Sequence, residues 1–200
     1  KRLICALFLL SSSLSLIISE HAVAAMLYPI VFSIIKLIPK ADDNNAKDEK
    51  YFIFSMMMAV TWGAIIGGTV TLLGGARAAL SIGLLESMTH KHISFLDWTL
   101  YVFPTIFLIQ VSALLILLYI NHTSNVSISE MRAHLKKEYE ALKPLSLKAF
   151  NTLVVLGITI SLWILYGTEW GLDWIALLGV ALAFIFKIST WKEIEEDVQW

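Results

Sequence analysis

Seven apolar runs, separated by short polar interruptions, limit the folds open to this sequence. A helix needs about 20 consecutive apolar residues to cross a bilayer. The runs are Leu3–Ile18, Ala22–Ile38, Tyr51–Ile66, Leu80–Leu85, Trp98–Ile120, Phe150–Tyr166 and Leu172–Ile188. Because 58% of the 200 residues are hydrophobic and only 16% are charged, this pattern predicts an all-α polytopic membrane protein.

The charged and polar residues argue against several classes of function. The formal net charge is −1 and the basic residues are dispersed, so we expect no nucleic-acid partner. No nucleophile, base and orienting group occur together, so we predict no catalytic site and no enzyme. The histidines of His90-Lys-His92 are typical of an exposed loop, and we predict no metal site there.

Only Ser19-Glu20-His21 separates the first two apolar runs, each near the lower limit for spanning. One interpretation is a re-entrant hairpin over residues 1–38, with a functional tip, because charge at membrane depth is tolerated where it lines a cavity. The other is two short spanning helices joined by a surface turn. The residues alone leave both open.

A second polar interruption, residues 67–79, is rich in glycine. It follows the run Tyr51–Ile66, and the next run, Leu80–Leu85, is too short to span alone. We therefore predict a broken transmembrane helix over residues 51–88. Gly63 and Gly67 also have the G-x-x-x-G spacing that allows close helix packing.

Lysine and arginine positions predict the topology of the remaining segments. We predict a cytoplasmic linker at 39–50, a transmembrane helix at 98–120, a cytoplasmic amphipathic segment at 121–149, two transmembrane helices at 150–188 and the start of an interfacial helix at 189–200. Aromatic residues near the membrane boundaries, including Trp98, indicate an interfacial belt. The predicted location is the inner membrane of the cell, with multiple passes and lipid contact.

The ends of the sequence, Lys1-Arg2 and Trp200, favour a piece of a longer protein. The first residues also resemble a signal peptide, with Ala22–Ala25 as its cleavage region. That alternative is weakened because Met26–Ile38 continues the apolar character.

Ionisable residues inside membrane segments are costly and are therefore candidates for function. Glu20, His21 and Arg77 fall in the two interruptions, which we expect to be non-helical. The spacing of Ser15 and Ser19 predicts two hydroxyls on one helical face. Hydroxyls and unwound carbonyls suit sodium, although helix packing explains the serines equally well. The guanidinium of Arg77 suits a carboxylate or sulfate, on a substrate or on Glu20.

Two motifs resemble the divalent anion:sodium symporter family. Ser19-Glu-His-Ala-Val-Ala-Ala-Met-Leu-Tyr-Pro-Ile30 is similar to the signature Ser-Asn-Thr-Ala-Thr-Ala-Ala-Met-Leu-Leu-Pro-Ile. Gly67-Gly-Thr-Val-Thr-Leu-Leu-Gly-Gly-Ala-Arg-Ala-Ala-Leu80 is similar to Gly-Gly-Ile-Gly-Thr-Leu-Ile-Gly-Thr-Pro-Pro-Asn-Leu. The closing residues 191–200 resemble the family's approach to its second half. The resemblance covers nearly the whole chain in the same order.

This resemblance implies a secondary active symporter that moves dicarboxylates, tricarboxylates or sulfate-like anions with Na⁺, built from inverted repeats and homodimeric at full length. It places residues 150–188 at the opening of the second repeat. The implied sodium ligands are Ser15, Ser19, Glu20 and Gly74. The implied substrate contacts are Ser19, Glu20, His21, Gly75, Ala76 and Arg77.

Three residues depart from the family pattern. Glu20 and His21 replace asparagine and threonine, and Arg77 stands where proline is usual. We hypothesise that Glu20 pairs with Arg77, giving a variant anion site that is coupled to H⁺ instead of Na⁺. The alternatives are a proton-coupled or other anion permease of the same superfamily, and a membrane remnant that transports nothing.

Overall fold

The computed structural model describes residues 1–36, 46–91, 93–120, 146–192 and 195. This part of the chain is helical and contains no strand. The helices are α1 (Arg2–Ser15), α2 (Glu20–Ile35), α3 (Ala46–Gly68), α4 (Ala76–Thr89), α5 (Phe95–Ile120), α6 (Leu147–Trp170) and α7 (Leu172–Ile185). Most of the linker predicted at 39–50, residues 121–145 of the amphipathic segment, His92 and residues 196–200 lie outside the described residues.

In the part of the chain that the structure describes, three helical segments are long and apolar enough to cross a membrane: Lys47–Gly68, Phe95–Ile120 and Leu147–Trp170. Three other apolar helices are shorter, with 14 residues in α1, 16 in α2 and 14 in α7. At 1.5 Å per residue their lengths are about 21–24 Å, below the roughly 30 Å of a hydrocarbon core. Together these helices support a membrane protein.

The chain divides into two compact units. The first contains Lys1–Ile93 and Asp97–Ala141, and the second contains Ser94–Leu96 and Leu142–Trp200.

In the first unit, α1 and α2 both pack on α3. The buried core includes Phe8 of α1, Val23 of α2 and Met56 of α3. Small residues let the helices approach closely. A Cβ on Gly63 would lie 2.6 Å from the Phe8 carbonyl oxygen, and one on Gly67 would lie 2.7 Å from Ser12 Cα. Gly63 and Gly67 therefore serve the close packing of α3 on α1.

The glycine-rich interruption separates α3 from α4, and residues 69–75 between them are not helical. The amides of Thr69 and Val70 donate to the carbonyls of Ile66 and Gly67, at 3.3 and 3.1 Å. These bonds span three residues and tighten the last turn of α3. The helix thus continues through both Gly67 and Gly68 before the chain unwinds.

The second unit is a helical hairpin of α6 and α7. Gly171 joins the two helices with a positive φ of 79°, a conformation that suits glycine. The Trp163 indole donates to the Leu172 carbonyl at 3.0 Å, and the Asn151 amide donates to the Phe186 carbonyl at 3.3 Å. These bonds join the near and far ends of the pair, so the helices run antiparallel.

Candidate functional site

The turn between α1 and α2 forms the tip of a helical hairpin. Helix α1 ends at Ser15, and Ser19 is the N-cap of α2, where its hydroxyl accepts from the Ala22 amide at 3.4 Å. A serine N-cap lets the helix begin immediately after it. The prediction that Ser15 and Ser19 share one helical face is therefore wrong. Ser15 is buried at the end of one helix, and Ser19 is exposed at the start of the next.

The ionisable residues are also helical, contrary to the expectation that they lie in unwound backbone. Glu20 and His21 occupy the first turn of α2, and Arg77 is the second residue of α4. An acid in the first turn is stabilised by the helix dipole, whereas a base there is not. The dipole of α4 therefore does not stabilise Arg77.

The unwound segment 69–75 is hydrogen-bonded to the hairpin tip. The Glu20 amide donates to the Gly74 carbonyl at 2.9 Å. The Thr71 hydroxyl donates to the Leu16 carbonyl at 2.6 Å. These two bonds connect opposite ends of the turn to one loop. They bring the start of α2 close to the start of α4.

The hypothesised pairing of Glu20 with Arg77 is confirmed. Arg77 Nη2 donates to both carboxylate oxygens of Glu20, at 2.6 Å to Oε2. The Glu20 side chain is 7% exposed and that of Arg77 is 69% exposed. The nearly buried carboxylate of Glu20 is thus paired with a cation, which offsets part of the cost of burying its charge.

The other predicted substrate residues surround this pair to different degrees. His21 Nδ1 lies 3.8 Å from Glu20 Oε1, beyond hydrogen-bond distance, and its side chain is 89% exposed. Gly75 is the N-cap of α4, and a Cβ there would lie 3.8 Å from Glu20 Oε2. Ala76 is exposed at the first position of α4. The site therefore centres on Glu20 and Arg77.

Beside the ion pair, several oxygen atoms converge around Ser15. Its hydroxyl is fully buried and has no hydrogen-bond partner among the described residues. A Cβ on Gly68 would lie 2.7 Å from that hydroxyl and 3.0 Å from the Gly74 carbonyl. A Cβ on Gly74 would clash with the carbonyls of Gly68 and Ser15. The missing side chains leave room for these oxygens to approach one another.

This oxygen cluster fits the sodium ion implied by the resemblance. Hydroxyl and carbonyl oxygens are the ligands that Na⁺ accepts at helix breaks. The C-terminal ends of α1 and α3, at Ser15 and Gly68, also direct the negative poles of their dipoles there. A buried polar atom without a partner requires an explanation, and a cation bound beside Ser15 would supply one. By contrast, the described residues contain no cluster of three or more His, Cys, Asp or Glu side chains.

Two cavities, each of about 300 Å³, border Arg77. One is lined by Glu20, His21, Ala24, Thr61, Ala64, Ile65 and Arg77. The other is lined by Ile65, Gly68, Thr69, Gly75, Arg77, Ala78, Ser81 and Trp98. Ile65 and Arg77 line both cavities, and the acidic side chain of Glu20 lines only the first.

The whole chain, residues 1–200, matches a family described as the sodium:sulfate symporter transmembrane region. The chain belongs to this family. An uncharacterized transporter of Haemophilus influenzae is 25% identical over 97% of the chain and 41% of its own length. A sodium-dependent low-affinity dicarboxylate transporter of Caenorhabditis elegans is 30% identical over 62% of the chain and 22% of its own length. The chain thus spans less than half the length of each of these two relatives.

Two residues that line the two cavities, Thr61 and Trp98, were not predicted as site residues. Thr61 lies inside an apolar run, and its hydroxyl lies 2.5 Å from that of Tyr28. Trp98, predicted only as part of an aromatic belt, donates its indole N–H to the Thr69 carbonyl at 3.3 Å. A polar residue within an apolar run was the signal for Thr61, whereas nothing in the sequence separated Trp98 from the other tryptophans.

Proposed function

We propose that this chain forms one half of the binding domain of a symporter that moves dicarboxylates, tricarboxylates or sulfate-like anions with Na⁺. The observation that carries the proposal is the junction at Glu20 and Arg77. There a guanidinium borders two cavities, next to a buried oxygen cluster. A transporter that binds an anion and a cation together needs both kinds of site in close proximity.

The proposed architecture treats α1 and α2 as a re-entrant hairpin. Their lengths of about 21 and 24 Å fall short of the roughly 30 Å hydrocarbon core. Both helices pack on α3 and bury serines and Glu20 at or near the tip. Polar groups at membrane depth need such a protein environment.

The proposed sodium site consists of Ser15 and Gly74, with Ser19 and Glu20 beside them. The hydroxyl of Ser15, which has no partner among the described residues, and the nearby carbonyls of Gly68 and Gly74 are the oxygen ligands of this proposed site. The name of the Caenorhabditis elegans relative states that its transport is sodium-dependent. Bound Na⁺ supplies positive charge next to the anion site.

The proposed anion site lies at the adjacent starts of α2 and α4. Its members are Ser19, Glu20, His21, Gly75, Ala76 and Arg77. Helix N-termini offer amide groups to anions, and Arg77 adds a charged donor. As in other transporters built from inverted repeats, we expect alternating access by motion of this domain, within a homodimer in the inner membrane of the cell.

The experiment is uptake of labelled succinate, citrate and sulfate by the full-length protein in proteoliposomes, with sodium and proton gradients imposed separately. We expect uptake of at least one anion to require the sodium gradient. Uptake driven by the proton gradient alone would favour the second candidate, H⁺ coupling, which the buried carboxylate of Glu20 motivates. No uptake under either gradient would contradict the proposal and favour a non-transporting remnant.

A further inference from the structure

The ion pair with Glu20 engages only some of the N–H donors of Arg77. Both hydrogen bonds to Glu20 come from Nη2. A guanidinium also has N–H groups on Nε and Nη1, and these have no hydrogen-bond partner among the described residues. Glu20 therefore holds Arg77 in place and leaves part of its donor capacity available.

Among the described residues that line the second cavity, none is acidic and Arg77 is the one basic side chain. Its other side-chain donors are engaged. The Ser81 hydroxyl donates to the Arg77 carbonyl at 2.8 Å, and the Trp98 indole donates to the Thr69 carbonyl. Arg77 is thus the group on this wall that attracts an anion. A volume of about 300 Å³ is at the lower end of small-molecule sites.

We propose that Arg77 binds the transported anion while it remains paired with Glu20, and that Glu20 sets the charge preference of the site. The inference rests on the proposed anion transport and adds the roles of two residues. With Glu20 at −1 and Arg77 at +1, the pair is neutral. An approaching anion then gains close hydrogen bonds to Arg77, and the long-range attraction that it feels comes from the bound Na⁺ rather than from the pair. The neutral pair therefore adds little to the dependence of affinity on the number of charges on the anion.

Removal of the Glu20 charge tests this role directly. Glu20→Gln keeps an oxygen that accepts from Nη2 but leaves the pair at +1. We expect succinate to bind about ten-fold more tightly, and citrate to gain by a larger factor because attraction scales with anion charge. Arg77→Gln should weaken binding of both anions about ten-fold or more. Arg77→Lys should bind both anions more weakly than wild type but more tightly than Arg77→Gln, since lysine keeps the charge and loses the planar fork.

The measurement is calorimetric titration of the folded full-length protein with succinate and citrate, at constant pH and at saturating sodium for each variant. Glu169→Gln and Arg2→Gln are matched controls, because both residues are exposed and outside the site. Glu20→Asp should restore the wild-type ratio of citrate to succinate affinity. A purely structural role for Glu20 would lower both affinities equally.

The outcomes separate this inference from the proposed function. If wild-type protein transports an anion but Glu20→Gln leaves the citrate to succinate ratio unchanged, only the charge role is wrong. If Arg77→Gln binds both anions normally, Arg77 is not the anion receptor. If wild-type protein neither transports nor binds any tested anion, the proposed function fails and this inference fails with it.

Discussion

Two helix pairs in this chain are apolar: the hairpin of α1 and α2, and the hairpin of α6 and α7. They differ in how many polar side chains they bury. The first buries Ser11, Ser12, Ser15 and Glu20 along with its apolar core. The second buries Val155, Thr159, Gly167 and Ile175 and leaves most of its apolar side chains exposed. The cause is α3, which packs on both helices of the first hairpin. Packing against a third helix gives the first hairpin a buried interior in which polar groups can be held.

In each hairpin an acidic residue lies at the start of the second helix, and these two residues show the same contrast. Glu20 opens α2 and is 7% exposed, with Arg77 as its partner. Asp173 lies in the first turn of α7 and is exposed. Both benefit from a helix dipole, but only the buried one depends on a specific cation. Four pairs of variants test how far this difference extends.

The largest effect should come from Gly74→Ala. The added Cβ would meet the backbone of Gly68 and Ser15 at clashing distances, and backbone cannot easily move away. We expect the free energy of unfolding to fall by about 3 kcal/mol, measured by thermal unfolding in detergent. The control is Gly157→Ala in α6, where nothing lies within 4 Å of the new Cβ. That variant should gain about 0.5–1 kcal/mol from helix propensity. If both substitutions changed the free energy of unfolding equally, the tight packing at the first hairpin would not distinguish it from the second.

Next in size is Arg77→Gln, which leaves the Glu20 carboxylate nearly buried without its cation. We expect the free energy of unfolding to fall by about 2 kcal/mol. This is less than the loss expected for a fully buried pair, because Arg77 is mostly exposed. Combining it with Glu20→Gln should recover most of that loss. Asp173→Asn in α7 should cost no more than about 1 kcal/mol, from the dipole alone. A double variant no more stable than Arg77→Gln would show that the pair is not coupled.

Ser15→Ala should separate sodium binding from folding. The buried hydroxyl has no partner among the described residues, so its removal should not lower sodium-free stability and should raise it by about 1 kcal/mol. The sodium concentration that gives half-maximal uptake should rise about ten-fold, equivalent to about 1.4 kcal/mol.

Ser161→Ala is the control in α6, where the hydroxyl donates to the Gly157 carbonyl of its own helix at 2.8 Å. Its sodium dependence should match wild type. An unchanged sodium dependence in Ser15→Ala would show that the oxygen cluster is not the sodium site.

The smallest effect should come from Tyr28→Phe. The Thr61 hydroxyl donates to the Met57 carbonyl at 3.0 Å, so the Tyr28 hydroxyl is the donor in its 2.5 Å contact with Thr61. We expect a loss of about 1 kcal/mol in unfolding free energy. Tyr166→Phe in α6, at a side chain 40% exposed and stacked on Trp170, should be nearly neutral. If both cost the same, the bond to Thr61 contributes nothing specific.

Much of the fold followed from local patterns. The apolar runs predicted helices in the correct order, because hydrophobicity and length are properties of each segment alone. The two interruptions also located the candidate site, since charge is costly within apolar runs. Helix ends were less accurate. Gly67 and Gly68 remain helical because α1 packs against them, and the N-cap at Ser19 places Glu20 inside α2.

By itself the sequence determined the membrane class, the two polar interruptions and the residue types available for an anion and a cation. Tertiary structure decided which of these residues meet. Glu20 and Arg77 pair because loop 69–75 is hydrogen-bonded to the hairpin tip. Ser15 lies close to Gly68 and Gly74 because glycines allow the backbone segments to approach closely. Such contacts depend on hydrogen bonds and close approach between segments far apart in the chain. No local pattern contains that information.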